Sequence, residues 1–166
     1  MKNKKIIIGS RGSKLALIYA EKAREQILNF ADEFAIKEVV IKKIVTTGDQ
    51  VQNKRISEVG GKGLFTTNIE TELLEKKIDI AVHALKDMPS EEMEGLVTNC
   101  FLKRNDPREI LISKDDKQLK DLPLNSIVGT SSFRREFQIK KIRKDLSCKL
   151  IRGNVDTRIK KLNDNL

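Results

Sequence analysis

With 166 residues, 39% of them hydrophobic and 34% charged, the chain is long enough to bury a real core, and no apolar run reaches the roughly 20 residues that cross a bilayer. Its 33 Lys and Arg outnumber its 24 Asp and Glu, for a net charge of +9, which favours an anionic partner without choosing one. Two cysteines, Cys100 and Cys148, and a single histidine, His83, are too few for a disulfide framework, a Cys/His zinc site or a Ser-His-Asp triad, so no metal is expected.

The N-terminal run Ile6-Ile7-Ile8 is far shorter than the core of a secretory signal, which makes the cytoplasm the expected location. As a β-rich stretch it leads through Gly9-Ser10-Arg11-Gly12-Ser13 into Leu15, Tyr19, Ala23 and Ile27 at helical spacing, with Ser13 as a natural N-cap. Val39 to Val45 alternates as a strand should. Thr67-Asn68-Ile69-Glu70 reads as a capping box that opens a helix through Leu73 and Leu74. Ile80-Ala81-Val82 reads as a buried strand ending at His83, and Leu96 to Leu102 as another.

A boundary is expected between Thr98 and Pro107, giving one α/β lobe over residues 1–102 and the start of a second over 103–166. In the second lobe Ser126-Ile127-Val128 leads through Gly129-Thr130-Ser131-Ser132 into Phe133, Phe137 and Lys141 on one helical row. Leu150-Ile151 then leads through Arg152-Gly153-Asn154 into a helix through Thr157 to Leu162. Strands alternating with helices predict an α/β fold with mainly parallel strands, whose ligands sit at the carboxyl ends of the strands. The loops there carry Ser, Thr, Gly, Arg, Lys and Asp. The second lobe has little sequence to close its sheet, and the chain is expected to be an incomplete piece of a longer protein.

Five segments stand out together. They are 9–16 (Gly-Ser-Arg-Gly-Ser-Lys-Leu-Ala), 59–65 (Val-Gly-Gly-Lys-Gly-Leu-Phe), 79–89 (Asp-Ile-Ala-Val-His-Ala-Leu-Lys-Asp-Met-Pro), 129–135 (Gly-Thr-Ser-Ser-Phe-Arg-Arg) and 152–158 (Arg-Gly-Asn-Val-Asp-Thr-Arg). In this order and spacing they resemble the signature run of the porphobilinogen deaminases (hydroxymethylbilane synthases), from about Ile6 to Leu162. The resemblance implies two α/β lobes like those of periplasmic binding proteins, with the active site in the cleft between them. It also implies a third domain, absent here, whose cysteine holds a dipyrromethane cofactor; neither Cys100 nor Cys148 lies in a segment like that attachment site.

The implied activity is a transferase of heme biosynthesis that polymerises porphobilinogen to hydroxymethylbilane, in a protein that is a monomer when full length. Asp87, which follows a buried strand and precedes Met88-Pro89, is the expected catalytic carboxylate. It would accept a pyrrole N–H and stabilise developing cationic character. Lys86 beside it would keep it ionised, serving both chemistry and cofactor, and Arg11 would serve substrate and the chemical step. Thr130, Ser131, Ser132, Arg134 and Arg135, with Ser13, would hold the cofactor's acid side chains at forked guanidiniums and helix N-termini. Ser13, Lys62, Phe65, Arg152 and Arg158 complete the expected substrate contacts, with Lys62 and Phe65 on a glycine-rich loop that lacks the spacing of a P-loop. The serines are equally good simple N-caps, and the two roles are compatible.

Three positions depart from the family pattern: Ala84 where Ser is common, Glu58 where Lys occurs, and Phe133 for a frequent Leu, the last read as a packing change. The alternative reading is a two-lobed anion-binding module without chemistry, which has no use for a carboxylate such as Asp87 in its cleft. Nucleic-acid binding rests on charge alone, and one Tyr, six Phe and no Trp offer few platforms for stacking bases. Neither nucleic acid nor membrane is an expected partner.

Overall fold

The computed structural model describes residues 4–50 and 63–164. These fall into two compact units, residues 1–103 and 104–166.

The first unit is organised by its first strand. Strand β1 (Lys4–Arg11) pairs in parallel with β2 (Ile36–Ile44) on one side and with the short β3 (Ile80–Ala81) on the other, in the order β2-β1-β3. The register sets Ile8 against both Ile41 and Ile80. A central parallel strand is covered on both faces, which is why Ile6-Ile7-Ile8 is an unbroken apolar run rather than an alternating one. Ile6 and Ile8 face one core, where Ala20 and Ala23 of helix α1 (Lys14–Leu28) meet Val39. Ile7 faces the other, where Ile69 of helix α3 (Thr67–Leu74) meets Ile44 and Ile78. A further short helix, α2 (Thr47–Gln50), follows β2 directly.

The second unit has a two-stranded parallel sheet, β4 (Ile127–Gly129) with β5 (Ser147–Lys149), and two helices, α4 (Phe133–Ile142) and α5 (Val155–Asn163). Its buried apolar side chains are Val128 and Leu146. Arg143, after α4, donates to the carbonyls of Leu119, Lys120 and Leu122 and pairs with Asp145 at 2.7 Å. One side chain thereby ties the 119–122 segment to the sheet connection.

The α/β class with parallel strands is as the sequence predicts, but several local expectations are corrected. Helix α3 has no capping box: Thr66 holds the cap position without a side-chain bond, and Thr67 is already helical. The Thr66 carbonyl accepts from both Ile69 and Glu70 N–H, so the donors a Thr67 capping hydroxyl would satisfy are already bonded. Leu96 to Leu102 forms no strand. Val97 and Phe101 are exposed, and Thr98 N–H bonds to the Glu92 carboxylate rather than to a ladder. The strand expected at Leu150-Ile151 lies three residues earlier, because Val128 pairs with Cys148. Ile151 instead packs over Gly129, where an added Cβ would sit 3.0 Å from its Cγ2. Phe133, read as a packing substitution, is 59% exposed.

Ile8 is fully buried at the centre of the first sheet. Ile8→Ala is expected to destabilise the first unit by about 2–5 kcal/mol, read as a lower urea midpoint with little change in slope. A loss below about 0.5 kcal/mol would show that this strand does not anchor the core.

Candidate active site

Because β1 lies between β2 and β3 with all three parallel, its last residue projects between the segments that leave its two neighbours. Arg11 is that residue, and it registers against Ile44, the end of β2. The turn Thr46-Thr47-Gly48-Asp49 begins two residues later, so Asp49 meets Arg11 from one side. Asp87 stands on the other, in a 3₁₀ turn (Leu85–Asp87) six residues beyond β3.

The contacts follow from that placement. Arg11 Nη2 donates to Asp49 Oδ1 at 2.5 Å, and its Nε lies 3.2 Å from the same oxygen and 3.4 Å from Oδ2. Its Nη1 is 3.5 Å from Asp87 Oδ2. The guanidinium carbon sits 3.9 Å over the Phe65 ring, an approach suited to a cation on an aromatic face. Phe65 is seated in turn by Gly48, where an added Cβ would stand 2.3 Å from the ring. Asp49 Oδ2 accepts from the buried Thr46 hydroxyl at 2.7 Å and from Thr46 N–H at 3.4 Å. Burial pushes the Asp49 carboxyl up, but the bonds from Arg11 and Thr46 outweigh it and hold the group below its usual range.

His83 lies between β3 and this turn, with a buried Nε2 that has no hydrogen-bond partner among the described residues. Burial lowers its pKa first of all; the Asp87 charge opposes this and the Arg11 charge adds to it. Burial and the Arg11 charge together thus favour the uncharged ring.

Of the residues expected in this region, Arg11, Phe65 and Asp87 come together. Phe65 is the platform for Arg11. Ser13 caps α1, its Oγ accepting from Ala16 N–H at 3.3 Å. Lys86 is exposed, and the cation in ion-pair range of Asp87 among the described residues is Arg11. Lys62 and Glu58 lie outside the described residues. Asp49 was missed: a Gly-Asp pair in a turn carries no local sign that it will face an arginine 38 residues earlier.

The second unit gathers the remaining expected residues at the carboxyl end of β4. Thr130 is buried and its N–H bonds to Lys149 O, while its Oγ1 accepts from Ser132 N–H at 3.1 Å. Ser132 caps α4, its Oγ accepting from Arg135 N–H at 3.4 Å, and Ser131 beside it is half-buried. Two donors of this helix N-terminus are thus already satisfied within the turn, which leaves the guanidiniums as the stronger anion groups. Arg134 and Arg135 both bond to one carboxylate, Glu109, the latter at 2.7 Å. The Arg134 bond is the main reason the Glu109 carboxyl sits below its usual range; burial opposes it and Arg135 assists.

Arg158 on α5 carries a buried Nε without a partner among the described residues. Burial lowers its pKa, and the charges of Arg135 and Arg152 push the same way. Arg158 is thus in the field of two further guanidiniums, one of which pairs with Glu109, a donor set suited to an acid-bearing ligand. No cluster of three or more potential metal ligands occurs among the described residues.

Glu109 holds the forks that a ligand's carboxylate would use. Glu109→Gln is expected to tighten binding of citrate to the chain by about threefold to tenfold at low salt, measured by calorimetry. Equal or weaker affinity would show that Glu109 does not compete for Arg134 and Arg135.

Residues 6–166 match the family described as porphobilinogen deaminase, dipyromethane cofactor binding domain. The porphobilinogen deaminase of Bacillus mycoides (strain KBAB4) is 49% identical over 163 residues, which are 97% of this chain and 51% of that protein. The protein of the same name from Geobacillus kaustophilus (strain HTA426) is 47% identical over 157 residues, 95% of this chain and 50% of the relative. That of Rickettsia akari (strain Hartford) is 46% identical over 157 residues, 95% of this chain and 51% of its own length. The chain spans about half the length of the curated relatives it matches. With a match that runs through both units and takes in Arg11, Asp87 and the arginines of the second unit, the chain belongs to the porphobilinogen deaminase family.

Proposed function

We propose that this chain supplies the N-terminal half of a transferase that condenses porphobilinogen into hydroxymethylbilane in heme biosynthesis, with Asp87 as its catalytic carboxylate. The observation that carries the reading is the Asp87 carboxylate held 3.5 Å from Arg11 Nη1 in a chain that matches this family over residues 6–166. The two units are read as a first lobe of the periplasmic-binding-protein kind and the beginning of a second, of a cytoplasmic protein that is monomeric when full length. No described helix is long and apolar enough to cross a membrane.

The residues fit a dipyrromethane, whose acid side chains match the donor set of Arg134, Arg135, Thr130, Ser131 and Ser132, with the Nε of Arg135 buried and unpartnered among the described residues. When bound, that group supplies the free pyrrole α-position from which a chain is extended. Ser13 and Lys86 are assigned to its side chains by the same reading. Its attaching cysteine is assigned to a third domain, since neither exposed Cys100 nor half-buried Cys148 lies in a matching segment.

Porphobilinogen, protonated on its aminomethyl nitrogen, loses ammonia as the C–N bond breaks, leaving an electron-poor azafulvenium cation that keeps its pyrrole N–H. The Asp87 carboxylate accepts the pyrrole N–H and stabilises the positive charge as it develops. A dipyrromethane held at Arg134 and Arg135 would supply the free α-carbon for the new carbon–carbon bond and would give up that carbon's proton in exchange. Arg11 binds the acid side chains of the incoming unit, together with Lys62, Arg152 and Arg158, and Phe65 fixes the plane of its guanidinium. Four additions and a hydrolysis give the product.

In a catalytically complete protein that begins with this sequence, Asp87→Asn keeps the shape of the side chain and removes its charge. Turnover is expected to fall on the order of a hundredfold or more with porphobilinogen binding largely retained, by steady-state assay. Near-normal turnover would remove Asp87 from the mechanism.

The 166-residue chain alone is expected to be inactive, because a tethered acceptor makes attack effectively intramolecular, an advantage of several kcal/mol. Incubated with porphobilinogen or hydroxymethylbilane, it should gain no covalent mass and release no ammonia. A stable mass increase of two pyrrole units on Cys100 or Cys148, with turnover, would overturn the assignment of the cofactor's cysteine.

A further inference from the structure

Arg11 lies between two carboxylates and treats them differently. Asp49 takes its Nε and Nη2 at hydrogen-bond distance, whereas Nη1 reaches Asp87 only as an ion pair at 3.5 Å. Among the described residues no donor makes a hydrogen bond to the Asp87 carboxylate. An arginine in a half-buried site ordinarily closes on the nearest carboxylate with two parallel bonds, and here Asp49 has taken that role. Asp49 is itself fixed, since its second oxygen is held by the hydroxyl and N–H of buried Thr46, and the Phe65 ring blocks one face of the guanidinium.

We infer that Asp49 is a positioning residue that takes the Nε and Nη2 edge of Arg11 and so keeps the Asp87 carboxylate an open acceptor. Without Asp49 the guanidinium has one carboxylate partner left among the described residues, and it closes onto Asp87. The oxygen that should receive a substrate N–H is then occupied. The value of this for catalysis rests on the assignment of Asp87 above, but the positioning itself is measurable without turnover.

The test is a crystal structure of Asp49→Asn, which keeps the shape of the side chain and removes its charge, beside one of the unaltered chain. Closure of Arg11 onto Asp87 is expected to bring two guanidinium nitrogens within about 3.0 Å of the Asp87 oxygens. A purely structural role for Asp49 instead leaves Nη1 at its present 3.5 Å or farther. Two short bonds to Asp87 support the inference; an unchanged or longer separation overturns it. Should Asp49→Asn fail to fold, Thr46→Val removes one of the bonds that fix Asp49 and is expected to shorten the Arg11–Asp87 separation by less, with the same contrary outcome. Normal turnover in Asp87→Asn would leave such a closure standing, so the failure of one reading is distinguishable from the failure of the other.

Discussion

The geometry of the first unit depends on the position of β1 between two parallel neighbours. Parallel pairing brings three carboxyl ends to one edge, and it is the central strand whose last residue has a chain segment on either side. Arg11 has that place. The Asp49 turn leaves β2 and the Asp87 turn follows β3, so one guanidinium faces two carboxylates that are distant from it in sequence. The apolar run that makes β1 central also makes the cation at its end the natural meeting point of the two loops.

That coupling links packing to chemistry through small residues. Gly9 lets Ile78 approach β1 so closely that an added Cβ would stand 2.3 Å from its Cδ1. Gly48 admits the Phe65 ring, which in turn supports Arg11. The Gly63 backbone adopts φ +75, a conformation open to glycine at no steric cost, and its carbonyl starts the turn that leads from Phe65 into α3. A bulkier residue at Gly48 would displace the ring on which Arg11 rests, whereas one at Gly9 would meet the core side chains of Ile78 and Ile44.

The second unit follows another logic. Its helices α4 and α5 contain no buried residue, and its electrostatic character comes from guanidiniums crowded near the end of β4. Like charges are held together there by a fold with a small core, and Glu109 relieves part of the repulsion. In both units an arginine is kept in place by a carboxylate of the chain itself, but with different consequences. Asp49 is locked by Thr46 and partly buried, whereas Glu109 sits in a segment without regular structure and makes its bonds near solvent.

The sequence alone was enough for the α/β class, for parallel strands, for the Ser13 and Ser132 caps and for the motifs that mark the family, because these rest on local periodicity and on short runs of fixed chemistry. It also pointed to Asp87 and the arginines as the groups of interest. Strand limits were less legible: Leu150-Ile151 has the stronger β pattern, but pairing with β4 selects Ser147–Lys149. The capping box at Thr67 failed for a similar reason, since a carbonyl from the preceding turn had already taken the donors. Tertiary structure alone decided that Arg11 pairs with Asp87, and that Asp49 and Glu109 lie against these arginines at all. A residue's neighbours in the chain are written in the sequence, but an ion pair across 38 or 76 positions exists only once the strands have been laid side by side.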